Sequence, residues 1–301
     1  MQLSVIIPTK NRHNDLQTAL NSILDQGVRP DEIIIIDQSD KRLEAETIQR
    51  YQHLLGADKY LKYLYNPTIQ GLVHAKSVGV DVAKGDLICF LEDDIVLEED
   101  YFKELLQGFS QSSKMIGCCG VVTNPPRTSW AYLFFHNFFH IGIYKDKRPS
   151  IFANYQSLKQ NLFISNAISG GLSAWKSEVF KRIHFDRFNG FHILEDVEFS
   201  TRVAELYPDQ LYINTKVRLA HYFSPAGREA EFNKQRRKAI EYIMFYKKRK
   251  KTQFAKLHMY WLFIGVFFSA FTISIKYRNT QAIKGIIEGI IAGKSKKLVI
   301  V

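Results

Sequence analysis

Four consecutive isoleucines between two acids, EIIIID at residues 32–37, restrict the fold more than any other stretch of this sequence. Successive side chains of a strand point to opposite faces, so a nearly all-apolar strand has to be covered on both. The flanking sequence supplies helices for that cover. Residues 3–7 read as a strand that stops at Pro8, and Leu16, Ala19, Leu20, Ile23 and Leu24 then follow helical spacing. A helix near residues 43–55, a strand near 60–65, a helix near 73–83 and a strand at 87–92 continue the series. Strands alternating with helices predict an α/β fold with a largely parallel sheet.

Beyond residue 123 the pattern loosens. Pro125 and Pro126 mark a break, and residues 130–144 (WAYLFFHNFFHIGIY) hold seven aromatics in fifteen positions. More α/β-like sequence follows through residues 169–180 and an acidic turn at Glu195-Asp196. Near residue 225 the composition shifts, and the net charge of +11 is best understood in two parts. Residues 1–227 hold 24 basic and 26 acidic side chains, whereas residues 228–301 hold 17 and 4. The positive excess belongs to the tail, which argues against a nucleic-acid-binding front domain. The expected division is an α/β domain at 1–227 and a basic, apolar helical region at 228–301.

Cys89, Cys118 and Cys119 sit in apolar runs without a CxxC pair, so buried thiols are expected rather than a disulfide framework or zinc site. The N-terminus MQLSVIIPTKN lacks a basic leader and a long apolar run, which predicts a cytosolic front part.

The acids give the first view of chemistry. Asp37 ends one strand, and Glu92, Asp93 and Asp94 end another. Ligands of open parallel sheets bind at the carboxyl ends of strands, so these acids are expected to face one crevice. Glu92 and Asp94 flank one residue, a spacing at which two carboxylates reach a divalent cation. Taken alone, the triplet reads more simply as an acidic turn after a buried strand. Its context changes that reading: SVIIPTKNR, IIIIDQSD, GLVHAKSVGVDVAKGD, FLEDDI and ILEDVEFSTR occur in this order.

The ordered set closely resembles the family 2 glycosyltransferases of the GT-A fold over about residues 2–225. The resemblance implies a Rossmann-like, mostly parallel sheet flanked by helices, with the helical extension at 228–301 added as a membrane-associating part. It implies that Pro8, Thr9, Asn11, Arg12 and Asp37 hold the nucleotide, with Lys76 and Gly79 beside the sugar nucleotide. Glu92-Asp93-Asp94 takes the DXD position, where Glu92 and Asp94 would hold Mg²⁺ or Mn²⁺ and Asp93 would lie against the nucleotide sugar. Glu195-Asp196 matches the ED motif, and Asp196 would be the catalytic base of an inverting, metal-dependent transfer. His221 would be a further metal ligand, with a purely structural histidine as the alternative. Gly170, Gly171 and Trp175 resemble the acceptor-side loop, where Trp175 would stack on a sugar unless it is a core aromatic. His136 and His140 read as one helix face, because the glutamate of HExxH is missing.

Three departures from the family pattern matter. Glu92 replaces the commoner Asp, Gln38 stands where a second Asp is frequent, and QxxRW is absent, which favours addition of one sugar over processive synthesis. The alternative to an enzyme is a non-catalytic, membrane-anchored module that binds nucleotide sugar or a partner transferase.

Residues 257–275 carry no Lys, Arg, Asp or Glu and would span about 28 Å as a helix. KKRKK at 247–251 and the apolar face of Ile283, Ile286, Ile287, Ile290 and Ile291 favour an anionic membrane surface. The expected location is the cytoplasmic side of the cell membrane, peripheral or spanning once at 257–275. A glycan or lipid-linked glycan acceptor would join the two halves.

Overall fold

A computed structural model describes residues 1–125, 128–224 and 229–299. The sequence break at Pro126 and the expected division at 227/228 lie outside the described residues. β1 (Leu3–Thr9) leads into α1 (His13–Leu24), followed by β2 (Glu32–Asp37), α2 (Ala45–Leu55), β3 (Tyr60–Tyr65), α3 (Leu72–Val82) and β4 (Leu87–Leu91). Next come β5 (Ile95–Leu97), α4 (Tyr101–Gln111), β6 (Gly117–Val122), α5 (Trp130–Phe139) and α6 (Arg148–Asn154). β7 (Leu162–Ile164), β8 (Leu172–Lys176), α7 (Glu195–Leu206) and β9 (Leu211–His221) complete the α/β part. Three helices end the chain: α8 (Glu231–Arg249), α9 (Ala255–Tyr277) and α10 (Gln281–Ser295).

The strands form one sheet in the order β3-β2-β1-β4-β8-β6-β9-β5, with β7 also paired to β9. β1 is parallel to both β2 and β4, and β3 is parallel to β2, as the βαβ alternation predicts. From β8 onward the sheet is mixed: β8 runs antiparallel to β4 and β6, whereas β6 and β9 are parallel. Ile33, Ile34, Ile35 and Ile36 are all buried, each contributing about 1.5–3 kcal/mol of apolar burial. Gly79 lets α3 lie against β1, since a Cβ there would come 2.5 Å from Ile6 Cγ2.

β1 continues through Pro8 instead of stopping before it. Its pairing with β4 ends at Ile6, while its register with β2 runs on through Pro8 and Thr9. The missing proline N–H therefore falls beyond the pairing with β4, a position that tolerates proline. The extra residues carry Thr9 to the end of the sheet where the acids gather.

The three cysteines are free and fully buried, as expected, and burial pushes the Cys89 thiol up to about 12. One hydrophobic core surrounds the sheet; a second joins Ile143, Tyr144 and Phe191 to α8, α9 and α10. In α10 the isoleucines do not share one buried face. Ile286 is buried, but Ile287 and Ile291 are exposed, and Gly285, Gly289 and Gly293 turn towards α8 instead. A Cβ at Gly289 would lie 2.3 Å from the Arg236 carbonyl oxygen, so glycine permits the close helix crossing.

α9 contains the uncharged run and is, among the described residues, the one helix long and apolar enough to cross a membrane. Its Met259, Leu262, Phe263, Val266 and Ala270 face protein, while Leu257, Tyr260, Ile264, Phe267, Phe268, Phe271 and Ile275 are exposed. α5 packs beside it: Phe138 and Trp261 meet edge to face at 5.0 Å, and Trp261 Nε1 donates to the Phe138 carbonyl. Trp130, Tyr132, Phe134, Phe135 and Phe138 extend the exposed aromatic surface.

Candidate active site

Acids at the carboxyl ends of β2 and β4 are held by the segment that follows β1. Thr9 Oγ1 donates to Asp93 Oδ2 at 2.7 Å, and Arg12 contacts Asp93 at 3.0 Å and Asp94 at 3.2 Å. Asn11 adopts a left-handed conformation and joins the loops after β1 and β2: its backbone N–H donates to Ser39 Oγ, and its side-chain oxygen accepts from the Asp40 N–H. Asp37 is fully buried, accepting from the Ser39 N–H and the Tyr63 hydroxyl and lying 3.0 Å from His13 Nε2. The sequence reading did not single out His13 or Tyr63, because neither lies in a motif. Burial pushes Asp93 up to about 7 despite Arg12 and Thr9, so it is an inward anchor behind Asp94.

Glu92, Asp94 and His221 converge. Their ligand atoms all lie within 4.8 Å of one another, the arrangement required of a divalent-cation site. His221 Nε2 is 2.9 Å from Glu92 and 3.1 Å from Asp94. Burial opposes charge on this ring, but hydrogen bonds to Asp94 and Glu92 win and raise it to about 9. Asp94 Oδ1 is buried and faces His221 Nε2 at 3.1 Å, so a carboxylate oxygen and the imidazole are directed at one point. Two carboxylates and an imidazole therefore fit Mg²⁺ or Mn²⁺. β9 delivers His221 opposite Ile95, since β5 and β9 pair antiparallel in that register.

Gly170-Gly171 separates this triad from the second acidic pair. A Cβ on Gly171 would lie 2.1 Å from Glu92 Oε1, and one on Gly170 would lie 2.1 Å from Glu195 Oε1. Glycine allows close approach here, as expected, but it is the protein's own acids that approach. Glu195 and Asp196 open α7 and have different surroundings. Glu195 is buried and ion-paired to Lys76 at 2.6 Å, while burial raises its carboxyl against the pull of Lys76. Lys76 also donates to the Gly170 carbonyl and is only 1% exposed. In this structure it braces the acidic pair from behind.

Asp196 is more accessible and pairs with Arg148 at the start of α6. Arg148 is also bound to Asp146 by several short contacts, including 2.7 Å from Nη2. Burial opposes the Arg148 charge, but the two aspartates outweigh it and push the guanidinium up. No sequence motif marks Asp146 or Arg148. Of the two readings of Trp175, its surroundings are those of the core aromatic. It is 3% exposed, packs edge to face on Phe199 at 5.0 Å and donates its indole N–H to Ser173. β8 places the ring inside the core, with no open face for a sugar.

The C-terminal helices also reach this site. Glu241 on α8 accepts the backbone N–H groups of Ile193 and Leu194 immediately before Glu195. Burial pushes its carboxyl from 4.5 to about 7 despite those donors. The folded state therefore holds the proton more tightly than the unfolded chain. Stability from this group is present below pH 4.5 and is lost as pH rises towards 7, by about 3 kcal/mol in the limit. A Glu241→Gln variant should melt higher than wild type at pH 8 and no higher at pH 4.5. Equal melting temperatures at pH 8 would remove the charge as the cause.

Comparison with known proteins places the chain in a family and a fold. The Glycosyl transferase family 2 profile matches residues 4–164. A Haemophilus influenzae uncharacterized glycosyltransferase is 30% identical over 110 residues, covering 36% of this chain and 43% of that protein. The Campylobacter jejuni GalNAc(5)-diNAcBac-PP-undecaprenol beta-1,3-glucosyltransferase is 36% identical over 107 residues, covering 35% and 34%. The matches thus span less than half the length of these curated relatives. Among solved structures, the mannosyltransferase PcManGT from Pyrobaculum calidifontis, in complex with GDP-Man and Mn²⁺, superposes with a TM-score of 0.63 at 14% identity, covering 98% of this chain and 87% of that one. GalNAc-T7 with UDP, GalNAc and Mn²⁺ gives 0.58 at 20% identity, covering 84% and 51%. Both likenesses are of fold.

Proposed function

Because this chain belongs to the family 2 glycosyltransferases, we propose that it moves a single sugar from a nucleoside-diphosphate donor to a membrane-associated glycan acceptor, with inversion at the anomeric carbon. The observation that carries this reading is the convergence of Glu92, Asp94 and His221 beside the diglycine that also meets Glu195, the neighbour of Asp196. On the donor side Arg12 supplies positive charge at the mouth beside Asn11, with the buried Pro8, Thr9, Asp37 and Asp93 behind them fixing the loops that carry both. Glu92, Asp94 and His221 would hold Mg²⁺ or Mn²⁺, which when bound would supply positive charge towards the departing β-phosphate. Asp196 takes the proton of the acceptor hydroxyl while that oxygen bonds to the anomeric carbon. The bond from that carbon to phosphate breaks with its electron pair leaving on the phosphate oxygen. Arg148 orients the Asp196 carboxylate for this step, and Glu195 with Lys76 fixes the start of α7 beneath it.

The apolar faces of α5 and α9, with the basic tail, support attachment to the cytoplasmic face of a membrane. α9 packs on α8, which carries many charges along its length, so a helix lying in the interface is favoured over a single span. The Campylobacter jejuni relative acts, by its name, on a PP-undecaprenol-linked glycan, which supports an acceptor of that kind.

The test is hydrolysis or transfer from UDP-, GDP- and dTDP-sugars with and without Mn²⁺. Metal-dependent turnover with at least one donor is expected, and its loss in Asp94→Ala; turnover unchanged in EDTA would overturn the metal-dependent reading. A Gly171→Ala variant should bind Mn²⁺ about 10–100-fold more weakly, because its Cβ displaces Glu92. Titration followed by electron paramagnetic resonance measures this directly, and unchanged affinity would detach Glu92 from the metal.

A further inference from the structure

Two cavities outside the metal triad meet at the same side chains. One, of about 150 Å³, begins at Asp196 and Arg148 and ends at His136, His140 and Tyr242. The other, of about 360 Å³, begins at those three residues and runs between α5, α8 and α9. Phe135, Phe139, Leu262, Val266 and Phe268 form its apolar wall. Gly265 brings α9 against α5 at its side, since a Cβ there would lie 2.4 Å from Phe139.

The junction has polar groups that the donor-side chemistry leaves unused. His136 and His140 stack with ring centroids 4.0 Å apart, and His140 Nε2 lies 3.3 Å from the Tyr242 hydroxyl. His136 Nδ1 is buried with no hydrogen-bond partner among the described residues. Lys238 lines the larger cavity, with its ammonium 5.8 Å from the Tyr242 ring and no ion pair among the described residues. Burial lowers both histidines, His140 to about 3, and lowers Lys238 as well. Cations and N–H donors in a desolvated place of this kind gain most from an anion.

We propose that this cleft binds the diphosphate and first isoprenoid units of a lipid-linked acceptor, with Lys238 and His136 on the phosphates, His140 holding His136 and Tyr242 in place through its two ring nitrogens, and the α5–α9 aromatics along the chain. The proposal rests on the transferase reading above and gives that reading its acceptor route. The occupant must be amphipathic. One end of the path opens onto the exposed aromatic faces of α5 and α9, its middle holds an unpaired cation, and its other end is the carboxylate that faces the acceptor hydroxyl. A free phosphate would use only the middle, and a neutral lipid only the wall.

The full-length protein in detergent is titrated with farnesyl diphosphate, farnesol and inorganic diphosphate in EDTA, so that the metal triad does not report. Trp261, packed on Phe138 and Phe139, provides the fluorescence signal. Farnesyl diphosphate is expected to bind at least tenfold more tightly than either fragment. Lys238→Met should reduce that affinity at least tenfold, to the level of farnesol, while Lys238→Arg restores most of it. Equal affinity for farnesol and farnesyl diphosphate, or wild-type affinity in Lys238→Met, overturns the proposal. Recovery in Lys238→Arg excludes misfolding as the cause of loss. Binding that depends on Lys238 in a protein with no donor turnover would keep the cleft and reject the transferase reading; turnover without such binding would do the reverse.

Discussion

An Asp196→Asn variant is expected to lose between two and four orders of magnitude in kcat, the range usual for removal of a general base. The substitution preserves shape and keeps one of the two acceptor oxygens, so the amide can still accept from the Val197 N–H or from Arg148, which bind different oxygens of Asp196. Folding and donor binding should therefore persist. Single-turnover transfer separates the chemical step from binding, and thermal shift with UDP, GDP and dTDP reports the donor side. A loss confined to KM would assign Asp196 to binding; a variant with wild-type kcat would remove it from proton transfer altogether. Arg148→Lys should show a milder loss, because a lysine reaches Asp196 without the fork that also grips Asp146.

Lys76→Met is expected to destabilise the fold by about 3–5 kcal/mol, the cost of leaving a buried partner charge unpaired. Lys76 and Glu195 are both buried, and the methionine would strand the carboxylate among Phe90, Phe185 and the Gly170 backbone. Adding Glu195→Gln should recover much of the loss, since the double variant has no charge to desolvate. Denaturant unfolding of the two singles and the double measures the coupling. Simple additivity of the two losses would show that the pair does not act as a unit. If Lys76 instead contacted a sugar nucleotide directly, Lys76→Met would raise the donor KM without lowering stability.

The α/β alternation was legible because buried parallel strands need apolar residues on both faces, as at Ile33–Ile36, and helices between them need periodic ones, as at Leu16–Leu24. The metal triad was partly legible. Glu92 and Asp94 are neighbours in sequence, but His221 is 127 residues beyond Asp94 and reaches it through the β5–β9 register. Trp175 stays open in the sequence between a sugar platform and a core aromatic, because a tryptophan after two glycines reads alike whether its ring faces a sugar or Phe199. The alternation of β8 decides that, and only pairing with β4 and β6 sets which face is inward. Arg148, Asp146, His13 and Glu241 were invisible for a related reason: an ion pair or a backbone clamp needs no local pattern.

By itself the sequence determined the family, the parallel half of the sheet, the acidic strand ends and the separation of a near-neutral front from a basic, apolar tail. These follow from periodicity, composition and short motifs, which are local properties of a chain. The tertiary structure decided which acids are exposed and which are braced, that Lys76 serves Glu195, that α8 holds the entry to α7, and that two cavities join at His136, His140 and Tyr242. Those facts depend on burial and on contacts between distant segments. The electrostatic character of a carboxylate or an ammonium is set there by neighbours and by the exclusion of water, neither of which is written in the residue's own sequence context.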